Sequence, residues 1–115
     1  MINKITEGRF IPSGVIITYD FNDNQISAEE IEEYTKSVNN GIPTLTTSIL
    51  DRRTMQTYNL PSTTLYHDGN ADSAATSFNA AFKNLKNIKG VSTSLEKILI
   101  VEIGNKFGLA LNKII

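Results

Sequence analysis

The chain has 115 residues, 40% of them hydrophobic and 20% charged, with a formal net charge of -1, the size and balance of one globular domain over residues 1–115 with a single core. It contains no cysteine, which excludes disulfides, thiolate nucleophiles and cysteine metal sites. No apolar run approaches the ~20 residues needed to span a bilayer, and the opening MINKITEGRF lacks a signal peptide's apolar stretch, so a cytoplasmic location without a membrane partner is expected.

Charge is unevenly laid out. Residues 1–72 carry ten acidic and five basic side chains, net -5, whereas residues 73–115 carry two acidic and six basic, net +4. Such asymmetry either cancels inside the fold or favours head-to-tail contact between copies. Lysine outnumbers arginine eight to three, a bias of adenine- and thymine-rich codons that points to a low-GC bacterium or a virus assembled in one.

A short edge strand is expected around Arg9 to Ile11, between the turn signals Glu7-Gly8 and Pro12-Ser13-Gly14. GVIITYDF, residues 14–21, alternates as a strand, with Val15, Ile17, Tyr19 and Phe21 on one face. Ser27 followed by Glu30 is a capping box, flanked by Ile26 and Ile31 as a hydrophobic staple. The helix it opens should run from Ala28 to about Asn39 and end at Gly41, with Ile31, Tyr34 and Val38 as its apolar stripe. Glu29, Glu30, Glu32 and Glu33 read as a solvated face that complements the helix dipole, not as a cation site.

TLTTSIL (44–50) and MQTYNL (55–60), separated by DRRT, form an expected hairpin with weakly contrasted faces. The second helix is expected to start after Asp72 or Ser73 and run to Lys89, closed by Gly90, with Ala74, Phe78, Ala81, Phe82, Leu85 and Ile88 facing the core. LEKILIVEIG has an unbroken apolar centre, Ile98 to Val101, as in a strand buried on both faces, either mid-sheet or under a subunit contact. NKFG then turns into LALNKII, whose last residues, Ile114 and Ile115, would be wasteful if exposed.

The expected fold is α+β, with two helices on one face of an antiparallel or mixed sheet of five to six strands. The economical topology is ferredoxin-like with an extra C-terminal strand. YDFNDNQ and YHDGNAD echo one another ahead of the two helices, as a duplicated unit or as two uses of the same Asp/Asn turn chemistry.

Asp68, Asn70 and Asp72 occupy the first, third and fifth positions of a calcium loop, but Ser73 and Asn79 stand where glycine and a bidentate glutamate are needed; Asp20, Asn22 and Asn24 fail in the same way. No metal or cofactor is expected. His67, the only histidine, is a candidate base that Asp68 or Asp72 could orient, Asp68 being badly placed to do so, with Ser62, Thr63 or Thr64 as possible nucleophiles, though no nucleophile-elbow pattern surrounds them. Arg52 and Arg53 at a hairpin tip suit phosphate or carboxylate. Tyr58, Tyr66 and Phe107 lack a basic stripe around them, which makes nucleic acid an improbable partner.

The expected function is therefore that of a non-enzymatic, self-associating structural or interaction module. It would form a homo-oligomer, with other assembly proteins as further partners, as a small component of a larger assembly such as a bacteriophage particle. The competing reading is a small-ligand or nucleotide binder using Arg52, Arg53, Tyr58, His67 and Phe82.

Overall fold

The computed structural model describes residues 14–38, 44–51 and 54–103. Seven elements follow one another among them: β1 (Gly14–Phe21), α1 (Ala28–Ser37), β2 (Ser48–Asp51), β3 (Gln56–Asn59), β4 (Thr64–His67), α2 (Ala71–Lys89) and β5 (Leu95–Ile103). The strand expected near Arg9, the helix end at Gly41 and the C-terminal hairpin lie outside the described residues.

β1 is the central strand of a three-stranded antiparallel sheet, with β4 on one side and β5 on the other. Its alternation turns Val15, Ile17 and Tyr19 toward the helices, where all three are buried. Register sets His67 beside Val15, and Leu65 and Ile100 on either side of Ile17. α2 meets this face with Ala74, Ser77, Phe78, Ala81 and Leu85, all buried at helical spacing. α1 adds Ala28, Ile31 and Thr35. Each large apolar side chain removed from water here contributes on the order of 1.5–3 kcal/mol.

Four aromatic rings tie the strand to the helix. Tyr19 and Phe78 have centroids 5.1 Å apart, and Phe21 stacks on Phe82 at 4.9 Å. Thr35 adds a polar tie, its Oγ1 accepting from the amide of Leu45 at 3.1 Å and donating to the carbonyl of Glu32 at 2.9 Å.

On the opposite face, Tyr66 lies across Gly14, and a Cβ on Gly14 would run into its phenol end. The Tyr66 hydroxyl donates to Asp68 Oδ1 at 2.7 Å. Glycine is needed here because a ring occupies the space a side chain would take.

The expected single sheet of five to six strands is instead two sheets. Among the described residues, β2 and β3 pair only with each other, from Ser48–Asn59 to Asp51–Gln56. The hairpin offers little to hold it flush against the main sheet: Ile49 is its one fully buried apolar side chain, and β3 is exposed apart from half-buried Tyr58. Its link to the sheet is the antiparallel bridge between Thr46 and Tyr66, made by two 2.8 Å backbone bonds. β4 itself, Thr64–His67, is a strand that no sequence signal announces, just ahead of the Asp68-Gly69 turn.

Both helix starts are capping boxes. In α1, Ser27 Oγ accepts from the Glu30 amide at 3.1 Å while Glu30 Oε1 accepts from the Ser27 amide at 2.8 Å, as the sequence predicts. α2 begins two or three residues earlier than expected, at Ala71. Asn70 is its cap, accepting from the Ser73 amide at 2.8 Å, and Ser73 completes the box from the third helical position. Gly90 closes the helix in the left-handed conformation, φ 67°, as expected. Ile88, placed in the core stripe by its spacing, is 71% exposed.

Glu30 also takes an ion pair from Lys89 Nζ at 2.6 Å. That pair, followed by the Ser27 amide, holds its carboxyl below the ordinary carboxylate range. A carboxyl whose pKa is lower folded than unfolded stabilises above its unfolded pKa, and loses that contribution as pH falls through the folded value. Glu30→Gln is therefore expected to flatten the acid limb of the stability profile below about pH 4.5, as read by melting temperature against pH.

Candidate functional site

His67 lies at the end of β4, 1% exposed. Its Nδ1 is 3.1 Å from the carbonyl oxygen of Thr44, and its Nε2 is 2.7 Å from Ser73 Oγ. A carbonyl can only accept, so Nδ1 carries the hydrogen. Nε2 is then free to accept the Ser73 proton, the bonding of a nucleophile and its base. The same hydroxyl also meets the Asn70 carbonyl at 3.0 Å and accepts from the Asn70 amide at 3.3 Å. Both groups are thus committed to joining β4, the segment before Thr46 and the start of α2.

Gly69 presses on this junction, since a Cβ there would collide with the imidazole and come within 2.9 Å of Ser73 Oγ. Ser73 is the residue sequence reasoning missed as His67's neighbour. Ser62, Thr63 and Thr64, proposed from sequence as nucleophiles, lie at the opposite end of β4.

The calcium-like spacing is put to other uses. Asp68 accepts from Tyr66, and Asn70 caps α2. In the earlier echo, Asn22 Oδ1 accepts from the Ser94 amide at 2.8 Å and Asp23 Oδ1 from the Thr93 hydroxyl at 2.8 Å. The two echoing segments therefore use the same residue types for different bonds.

Of the residues considered for an anion or nucleotide, Arg52 and Arg53 lie outside the described residues. Tyr58 is half-buried on β3, its hydroxyl 3.4 Å from Gln56 Oε1. Phe82 stacks on Phe21 in the aromatic cluster, with Lys86 Nζ 5.1 Å from its ring centroid. Tyr58, His67 and Phe82 stand on three different elements, each with its own set of neighbours.

A groove of about 360 Å³ opens elsewhere, between the end of β1, the start of α1 and the turn that leads into β4. Phe21, Ile26, Leu60 and Pro61 give it an apolar wall, and Asp20, Asp23 and Glu29 supply carboxylates. Among the described residues, neither lysine nor arginine lines it. Thr63 on its rim holds φ at 55°, a strained left-handed conformation for a β-branched residue. The volume lies in the range of small-molecule sites. Its walls come from residues 20–29, Thr47 and 60–64, a conjunction that no linear motif announces.

The sheet's other exposed feature is β5. Of the two places its apolar centre suggests, mid-sheet or under a subunit contact, the described sheet does not give the first, since β5 is an edge strand there. Ile98 is 40%, Leu99 57% and Val101 42% exposed. Register puts Leu99 beside Thr18 and Val101 beside Ile16 on the face away from the helices, and Ile98 beside Tyr19 on the helix face. Among the described residues, no helix is long and apolar enough to cross a membrane. Comparison with protein-family models, with curated protein sequences and with solved structures finds no match.

Proposed function

We propose that the protein is a self-associating structural or interaction module, a small component of a larger assembly of the kind a bacteriophage particle represents, with β5 as its contact strand. The observation that carries this reading is the exposure of Ile98, Leu99 and Val101 on a nine-residue strand at the edge of the described sheet. An exposed apolar edge templates pairing with another strand, and proteins that stay monomeric blunt such edges with charge, proline or short length. β5 has charge only at its flanks, Glu96, Lys97 and Glu102, around four apolar residues. Backbone bonds across the edge give affinity, and the alternate side chains give specificity.

The spatial order β5, β1, β4, with Thr46 next beyond β4, supports a split βαβ, ferredoxin-like reading of the fold. In that arrangement the helices cover one face of the sheet, which leaves its edge and opposite face for partners.

Sedimentation at several protein and salt concentrations tests the proposal. Wild type is expected at a multiple of 12.7 kDa, and Leu99→Lys/Val101→Lys at the monomer mass with its circular dichroism unchanged. Apolar strand pairing should persist in 0.5 M salt, where the Debye length is about 4 Å and contact between oppositely charged surfaces is screened. A wild-type monomer under all conditions would sink the reading.

A further inference from the structure

The bond between His67 and Ser73 joins β4 to α2 and does not involve the exposed side chains of β5. We propose that Ser73 is a reactive nucleophile with His67 as its base, taking an acyl group from a small ester.

Three observations carry this. First, capping α2 does not need a histidine. The box is complete once Asn70 Oδ1 accepts from the Ser73 amide and Ser73 Oγ from the Asn70 amide, as the α1 box is complete between Ser27 and Glu30 with no imidazole. His67 Nε2 adds a contact of 2.7 Å to the same hydroxyl, shorter than its 3.0 Å to the Asn70 carbonyl. A serine has one proton to donate, and the shorter contact, to the stronger base, takes it. Second, the imidazole is held in the tautomer a base requires. The Thr44 carbonyl accepts from Nδ1 at 3.1 Å, which leaves the Nε2 lone pair on the hydroxyl and does the orienting that a carboxylate does in a serine triad. At 1% exposure the ring meets little water that would compete for Nε2.

Third, the nucleophile is less enclosed than its base. Ser73 is half-buried and stands in the first turn of α2, where the positive end of the helix favours developing negative charge on Oγ. Gly69 allows the approach, since any side chain there would displace the imidazole from the hydroxyl.

In the reaction Oγ bonds to the carbonyl carbon of the ester and its proton passes to Nε2. The bond from that carbon to the alcohol oxygen breaks, and the alcohol leaves with the proton that Nε2 returns. Water repeats these steps on the acyl-serine, releasing the acid and restoring the hydroxyl. The Ala71 amide is already taken by Glu102 Oε2 at 2.8 Å, so it is not a donor for the tetrahedral oxyanion. Turnover is therefore expected to be slow, and an activated probe is the one to use.

An alkyl fluorophosphonate on the intact chain tests this: Oγ bonds to phosphorus, fluoride leaves, and the proton passes through Nε2 to solvent. Peptide mapping by mass spectrometry over time is expected to place the adduct on Ser73. Ser27 is the internal control, an exposed serine at the start of the other helix with no imidazole beside it. His67→Gln, whose amide cannot take a proton, should slow labelling of Ser73 by about 100-fold or more, with circular dichroism reporting its fold. A purely structural clamp would leave Ser73 no more reactive than Ser27. Labelling of Ser73 no faster than of Ser27 in the wild type, a comparison that needs no variant, would overturn the proposal. So would a folded His67→Gln chain labelled at the wild-type rate.

Discussion

Phe78→Ala is expected to remove about 3–5 kcal/mol of stability, the largest loss of any single truncation considered. Phe78 is fully buried and sits where the sheet, α2 and the aromatic cluster meet, with the rings of Tyr19, Phe21 and Phe82 5.1, 6.2 and 6.3 Å from its own. Its removal takes away the transfer energy of the side chain and leaves a void its neighbours fill poorly. Those neighbours stand on a central strand held from both sides and on one helix, so little collapse is possible. Against a total of roughly 5–15 kcal/mol for a natural domain, the loss is a large share of the whole. Urea unfolding followed by circular dichroism reads it as a lowered midpoint at unchanged slope. A midpoint within error of wild type would mean that the helix is not seated on β1 as described.

The second large effect is at His67. His67→Ala is expected to cost about 2–4 kcal/mol, from the cavity left by a buried ring and the Thr44 carbonyl left without its donor. Ser73 should suffer less, because its hydroxyl still reaches the Asn70 carbonyl. A double-mutant cycle with Ser73→Ala isolates the bond between them, with a coupling of about 0.5–3 kcal/mol. Hydrogen exchange should speed up at the first amides of α2 more than at its last turns, since the imidazole fastens the helix start to β4. A variant as stable as wild type would contradict the clamp.

Features that depend on neighbours in sequence were legible from sequence, and those that depend on distant partners were not. The Ser27–Glu30 capping box, the span of β1 and the Gly90 closure rest on residues within a few positions of each other, and each stands as read. The start of α2 was misplaced because Asn70, Asp72 and Ser73 are all good caps. The choice falls to Asn70, since only there does the residue three positions on return a bond to the cap. β4 was missed because Thr64 to His67 is too short to show a period, and Asp68-Gly69 after it speaks strongly for a turn. Its strand character comes from β1, some forty-five residues earlier in the chain.

β5 shows a different limit. Its apolar run was read correctly as a demand for burial, but such a demand carries no address, and the described sheet leaves it only partly met. Ile88 erred by the same logic on a helix, where spacing put it on the core stripe at the last turn, beyond the reach of the sheet. The groove could not be anticipated at all, because its walls, residues 20–29 and 60–64, are about thirty to forty residues apart in sequence and only the fold brings them together.

The ties between the two loops at the end of the sheet bear on how the chain reaches this state. Asp23 and Thr93 are seventy residues apart in sequence, and Asn22 and Ser94 seventy-two, while β1 finds β5 across a similar span. Almost nothing local stabilises the central strand, so its pairing waits on a long closure whose entropy must be met before the contacts repay it. A nascent chain that has exposed β1 but not yet β5 carries Val15, Ile17 and Tyr19 without a finished sheet around them. Synthesis thus passes through an interval in which the strand later at the centre of the molecule is its most adhesive part.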